Sequence, residues 1–360
     1  MEEYTYIKVD TLRQFTTSVF EKFGVPTEDA KITTDVLISA DQRGVSSHGL
    51  QRLGRYINGL KVGVMKPVAK ISVLKETPNT LLISGDDGLG QVVGYKAMKL
   101  VIEKALKNNV ALASVCNSNH YGMAAYYSMM ALDKDLIGIS LTNSEPLLVP
   151  TYGKDAVIGT NPISIAVPTG EERPFVLDMA TSTVPRGKLE VRNRAGESIP
   201  NTWATDELGN PTTDPSRVLK NIRDGRGGGL LPLGGAEEKD GGHKGYGLAF
   251  AVDIFCGVLS GSVIGLDLYS KEGASAKISH FFGAIKIEAF VQLVHFRRLM
   301  DEYIAMIRNS AKATGQNRIF IHGEKELELH EQRKNEVPVL NNVVEEIRRI
   351  GEEVSVKAPF

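Results

Sequence analysis

His48 stands four residues before Arg52 in the run Arg43-Gly-Val-Ser-Ser-His48-Gly-Leu-Gln-Arg52-Leu53. An imidazole can donate a proton to a developing alkoxide, and a guanidinium can grip a carboxylate with parallel N–H groups. Together they suit acid–base chemistry on a carboxylic acid; the plainer reading is a His and an Arg on a solvated helix face. Leu50, Leu53, Ile57 and Leu60 recur at three- and four-residue steps. That spacing predicts an amphipathic helix from about Ser47 to Leu60, capped by Ser46 or Ser47. His48 and Arg52 then share a face one turn apart. A helix N-terminus disfavours extra positive charge, so His48 gives up a proton readily near neutrality.

Four further stretches carry usable groups. Asn117-Ser-Asn119-His120-Tyr-Gly122 lies where a predicted strand hands over to a helix; its amides, imidazole and phenol suit a carbonyl, a carboxylate or a carboxamide, and Asn119 could equally cap the helix. Gly159-Thr-Asn-Pro162 and Leu177-Asp-Met-Ala-Thr-Ser182 offer small hydroxyls and backbone N–H groups for phosphate or ribose, or are ordinary turns. Gly241-Gly-His243-Lys244-Gly-Tyr-Gly247 offers a cation at a helix start, an anion site or a glycine hinge. Gly88-Leu-Gly90-Gln-Val-Val-Gly94 imitates a dinucleotide fingerprint, but its last gap is one residue too long and Glu103 falls inside the helix. It reads as a glycine turn with tight helix packing. The seven histidines include no His-x-x-x-His pair, so no metal site is expected, and no Gly-x-Ser-x-Gly elbow marks a hydrolase.

The elements that must position these groups follow from periodicity. Asp10 caps a first helix ending at Gly24, and Thr27 opens a second that runs to about Gly44. Two β runs, Lys70–Leu74 and Thr80–Ser84, lead into alternating helix and strand: a helix through Val93–Ala105, a strand Val110–Val115, a helix Tyr121–Leu132 and a strand Leu136–Thr142. Asp155–Ile158, Ile163–Val167 and Phe175–Met179 have no helix between them and read as antiparallel neighbours. Residues 183–242 are an excursion of short elements whose Gly225–Gly229 run is a mobile tip. Leu248–Leu259 is apolar nearly all round and reads as a helix buried on most sides. A strand Phe281–Phe290, a helix Phe296–Ala313 and a charged helical tail Glu324–Gly351, broken at Pro338, complete the chain. The organisation expected is a helical region, 1–75, packing with C-terminal helices in 296–360, around a mixed-sheet domain, 76–295.

The bulk numbers narrow the class. At 360 residues, 42% apolar and 24% charged, the chain can bury a sizeable core. Its 42 basic and 43 acidic residues leave no footprint for nucleic acid or an anionic membrane. No apolar run spans a bilayer and the acidic N-terminus is unlike a signal peptide. The two distant cysteines, Cys116 and Cys256, read as buried free thiols, and a cytoplasmic protein is expected.

In chain order these stretches resemble the malate/L-lactate dehydrogenase family that is unrelated to the Rossmann-fold lactate and malate dehydrogenases. The resemblance also takes in Arg186-Gly-Lys188, Gly209-Asn-Pro-Thr-Thr-Asp-Pro215 and Leu231-Pro-Leu-Gly-Gly235, and so covers nearly the whole chain. It implies a mixed α/β fold that is not a Rossmann fold, a cofactor NAD or NADP, and a homodimer whose active sites draw on both chains. It makes His48 the proton donor and Arg52 the carboxylate clamp, and places His120 at nicotinamide and substrate with Asn119 beside it. Asp178, Met179, Ala180, Thr181, Ser182, Thr183, His243, Lys244, Gly323, Glu324 and Lys325 would touch the cofactor. The implied reaction is reversible reduction of a small 2-oxo acid, with oxaloacetate and malate first, L-lactate or L-sulfolactate next. An idle ligand-binding homologue is the reading of a different class. Arg186, Lys188, Arg192 and Arg194 either meet a 2′-phosphate or face water. One departure stands out: His322-Gly323-Glu324 where the family usually has Pro-Gly-Glu.

Overall fold

The computed structural model describes residues 3–269 and 274–360. The chain opens with a strand that periodicity did not reveal, β1 (Tyr4–Lys8), followed by α1 (Val9–Lys22) and α2 (Thr27–Gln42). Asp10 lies in the first turn of α1 but makes no cap bond. The helix expected from Ser47 is broken. Ser46–His48 and Leu50–Arg52 are separate tight turns, and the α-helix proper, α3, covers Leu53–Lys61. The physical cause is Asp41, at the end of α2: its carboxylate accepts from the Leu50 N–H at 2.8 Å, while Gly49 between the turns is extended. Neither Ser46 nor Ser47 caps a helix.

Next come β2 (Ser72–Glu76), β3 (Thr80–Ser84), α4 (Gly90–Asn108), β4 (Val110–Ser118), α5 (Ala124–Met129) and β5 (Leu136–Thr142). They are followed by β6 (Pro146–Leu148), β7 (Ile158–Gly159), β8 (Ile163–Val167), β9 (Phe175–Met179), α6 (Arg186–Arg194), β10 (Ala204–Thr205), α7 (Pro215–Asp224) and β11 (Gly229–Leu230). The chain ends with α8 (Gly242–Asp253), β12 (Ile278–Lys286), α9 (Leu293–Asn309), α10 (Glu324–Gln332), β13 (Glu336–Leu340) and α11 (Asn341–Glu353).

The main sheet has the order β2-β3-β4-β12-β5-β8-β9, and only β3 and β4 run parallel. This is the mixed, largely antiparallel α/β fold expected, with one parallel pair where a Rossmann sheet has many. A smaller sheet, β10-β11-β6-β7, takes the segment read as Asp155–Ile158, so only Ile163–Val167 and Phe175–Met179 are antiparallel neighbours in the main sheet. The glycine run is not a free tip: the Gly228 N–H donates to Lys154 O at 2.6 Å, and Gly229 lies in β11.

The tail is helical only in part, because β13 pairs with β1 and puts Pro338 opposite Tyr6. A two-stranded ladder tolerates a proline, since its missing N–H can face away from the partner strand. One apolar core accordingly joins Leu12, Leu37, Leu53 and Tyr56 to Val337, Val344 and Ile347. The apolar helix is also not buried on most sides in the single chain. It begins at Gly242, and Phe250, Val258 and Leu259 are 50%, 53% and 59% exposed. Its inner residues Ala249, Val252 and Cys256 are buried.

Candidate active site

A cavity of about 550 Å³ opens between the broken segment before α3, the start of α5, the end of β9 and the loop before α10. His48 and His120 meet in it, their rings stacked with centroids 5.5 Å apart. The β4–α5 loop carries His120, and its ring is fixed from behind. Nδ1 lies 2.6 Å from the Tyr56 hydroxyl and 3.4 Å from the Gly122 N–H. A backbone N–H can only donate, so Nδ1 accepts from both and the ring proton sits on Nε2, facing the pocket. His48 Nδ1 lies 3.0 Å from Ser47 Oγ, a hydroxyl able to serve either tautomer.

Burial lowers His48 to about 4, with the charges of Arg52 and Arg55 adding to the effect. Burial, then Arg55, His48 and Arg52, holds His120 well below the ordinary imidazole range. Both rings are neutral near pH 7 when no anion is bound. The helix dipole read from sequence is replaced by burial and arginines as the cause.

Arg52 Nε donates to Ser47 O at 2.7 Å, which turns its guanidinium back along the broken segment. Arg55, one turn on, donates to the Tyr269 hydroxyl at 2.5 Å. Neither arginine forms an ion pair with a described residue.

Of the residues read as cofactor contacts, Asp178, Met179, Ala180, Gly323 and Lys325 line this cavity. Asp178 accepts from the Ala125 N–H at 2.8 Å. Its surface is open to the cavity, yet the protein packed around it raises its carboxyl to about 7. Gly323 needs to be glycine. It adopts φ +88°, and a Cβ would lie 2.7 Å from Val176 Cβ. The His322 carbonyl accepts from the Val176 N–H at 3.0 Å, so the exchange of proline for histidine leaves this backbone contact in place. The His322 ring reaches the cavity wall beside Phe175.

The others lie off the cavity. Thr181, Ser182 and Thr183 direct their hydroxyls to the backbone carbonyls of Thr160, Val184 and Pro232. Glu324 is engaged by Arg308 and Arg318. His243 and Lys244 sit exposed at the start of α8. Asn119 is buried, and its amide nitrogen donates to Asp87 O and Gly88 O, pinning the loop that carries His120. Gly90 lets α4 approach the same loop, since a Cβ there would lie 2.2 Å from Asn119 O. Sequence reasoning passed over Arg43, Arg55, Tyr56 and Asp41. The first three lie within the quoted run or one turn beyond it, which was the available signal; nothing local betrays Asp41.

The donor set fits a nicotinamide dinucleotide. Arg43 and Asn143 both line the cavity, and Arg43 carries a buried Nε with no partner among the described residues. The volume lies in the range of small-molecule sites.

Fold, paired imidazoles and unpaired arginines define a class: the chain belongs to the malate/L-lactate dehydrogenase family, whose sequence profile matches residues 7–348. Membership makes it a 2-hydroxy acid dehydrogenase that uses a nicotinamide cofactor. Within the family it is 48% identical over 357 residues to malate dehydrogenase of Pyrococcus abyssi, covering 99% of this chain and 97% of that one. It is 39% identical to L-sulfolactate dehydrogenase of Methanocaldococcus jannaschii, with 97% of each chain covered. The structure of malate dehydrogenase from Pyrococcus horikoshii superposes with a TM-score of 0.89 at 44% identity, covering 99% of this chain and 98% of that one.

Proposed function

We propose that this chain interconverts oxaloacetate and malate with NAD or NADP as partner, with 3-sulfopyruvate and pyruvate as the competing oxo acids. The observation that carries the reading is the stacked His48–His120 pair, with Arg52 on the same broken segment as His48 and Arg55 one turn on, neither with a carboxylate partner among the described residues. When bound, the cofactor supplies or accepts hydride at the substrate C2. Arg52 grips the C1 carboxylate, and the Nε2–H of His120, fixed by Tyr56, points at the C2 oxygen. His48 exchanges the proton at that oxygen. A neutral His48 is already competent as the base for oxidising the hydroxy acid. In the reducing direction an anionic substrate offsets the arginine charges and lets the imidazole hold the proton it must give.

Asp178, Met179, Ala180, Gly323 and Lys325 hold the cofactor from the cavity wall, with Arg43 supplying an unpaired donor. Thr181, Ser182, Thr183 and Glu324 support that wall. His243 and Lys244 act across a homodimer, reaching the site of the second copy. Support for this arrangement comes from the uncovered apolar face of the same helix, Phe250, Val258 and Leu259. The free buried thiols Cys116 and Cys256 suit a reducing compartment such as the cytoplasm.

A nicotinamide absorbance assay tests the reading with both reduced cofactors against oxaloacetate, 3-sulfopyruvate and pyruvate. Turnover fastest with oxaloacetate is expected; binding of cofactor without turnover of any oxo acid would favour an idle homologue.

A further inference from the structure

The geometry points to Arg55 as the residue that selects 2-oxo acids carrying a second anionic group, the one beyond C2, over simple monocarboxylates. The inference rests on the proposed oxo acid reduction and adds to it the substrate class. Arg52 is spoken for by the C1 carboxylate; Arg55 is a second cation one turn on, in α3, and the proposed chemistry leaves it idle. Side chains three residues apart on a helix start about 5–6 Å from each other. A four-carbon diacid, or its sulfonate counterpart, has two anionic groups to offer two such neighbouring cations.

Arg55 is half-buried and has no ion pair with a described residue. Glu145 is an acidic side chain whose field reaches it, but the two do not come within ion-pair distance. Its hydrogen-bond partner is the Tyr269 hydroxyl, with the guanidinium 5.7 Å from the ring centroid as well. A neutral phenol orients a guanidinium without neutralising it. Oriented by that phenol and always charged, the guanidinium is set to receive an anion that arrives beside it. Arg55 adjoins Tyr56, whose hydroxyl lies 2.6 Å from His120 Nδ1, so the turn that carries Arg55 is the one that seats a site imidazole. Pyruvate ends in a methyl group there and leaves Arg55 unpaired; oxaloacetate and 3-sulfopyruvate do not.

The test is the ratio of kcat/KM for oxaloacetate to that for pyruvate, with 3-sulfopyruvate in parallel, in the parent, Arg55→Gln and Arg55→Lys chains. Loss of a desolvated charge partner lowers the ratio on the order of a hundredfold in Arg55→Gln, chiefly through KM, with partial recovery in Arg55→Lys. A parallel drop for sulfopyruvate extends the class to sulfonates; a drop for oxaloacetate alone restricts it to dicarboxylates. Should Arg55→Gln fold poorly, Tyr269→Phe removes only the seating hydroxyl and lowers the same ratio by about tenfold. An unchanged ratio, or equal losses for all three acids, overturns the assignment. Calorimetric binding of L-malate and L-lactate separates the two claims. Selective loss of malate binding in Arg55→Gln supports the role of Arg55 even if the parent turned over no oxo acid. Equal binding by parent and variant refutes it.

Discussion

Gly49→Ala is a small perturbation with a large expected effect. A Cβ on Gly49 would lie 2.1 Å from Asp41 Oδ1 and 2.5 Å from Oδ2. Carbon and oxygen do not approach within 3.0 Å in such contacts, so the two segments must part by about an ångström. Asp41 is buried and its carboxylate accepts the Leu50 N–H, so it has nowhere favourable to go. Burial raises the Asp41 carboxyl to about 7, and losing its hydrogen bond costs about 1–3 kcal/mol, to which the overpacking adds. The same bond sets the break that places His48 and Arg52. Displacing them by about 1 Å should lower kcat/KM by roughly a hundredfold, with cofactor affinity much less affected. Urea unfolding and steady-state kinetics on Gly49→Ala, Asp41→Ala and the double variant form a cycle. The clash is absent when Asp41 is alanine, so the double variant should be less damaged than the sum of the two singles. Parental stability and parental kcat/KM in Gly49→Ala would refute this account of the break.

Malate oxidation and oxaloacetate reduction should respond oppositely to pH. With His48 at about 4, kcat/KM for oxidation holds from pH 8 down to about 5 and falls as the base is protonated, while that for reduction declines as pH rises; profiles of the same sense in both directions would contradict it. His280 is fully buried between Ser118 and Thr142, and burial depresses it to about 3. Its stabilising contribution is present above the ordinary value of about 6.5 and is lost as pH falls toward 3. Between pH 7 and 4.5, urea unfolding of His280→Gln should therefore lose about 2–3 kcal/mol less than the parent. Arg52→Lys keeps the charge but not the two-pronged grip, so KM for the oxo acid should rise about ten- to a hundredfold with a smaller change in kcat.

Where the signal was local, the sequence was legible. Leu136–Thr142, Ile163–Val167 and Phe175–Met179 match to the residue, because short apolar runs flanked by Asp, Asn or Pro specify a strand without outside help. Where a distant partner decides, it was not. The break at Gly49 depends on Asp41 from the preceding helix, and β1 exists only because β13 arrives from the far end of the chain. The apolar helix shows a third limit: Phe250, Val258 and Leu259 stay exposed, because an all-round apolar pattern does not say which of its faces the neighbouring elements cover. At the site, His48 and His120 were visible as residue types, but their ring contact was not, nor was Tyr56 as the group that orients His120. Asn119 was read as a ligand-facing amide or a helix cap; its nitrogen donates to two loop carbonyls, while its oxygen has no partner among the described residues.

The central claim is that His48 moves the proton at the substrate oxygen, and it is tested most directly by single-turnover reduction of oxaloacetate with His48→Asn. An asparagine of similar reach cannot be protonated to serve as the acid. General acid catalysis is worth about a hundred- to ten-thousandfold, so the rate of cofactor oxidation in one turnover should fall by that range and lose its dependence on pH. Cofactor affinity, read from fluorescence in the same samples, should stay close to the parent value. Cofactor oxidation at the parent rate, with the parent pH profile, would contradict the account and pass the role to His120.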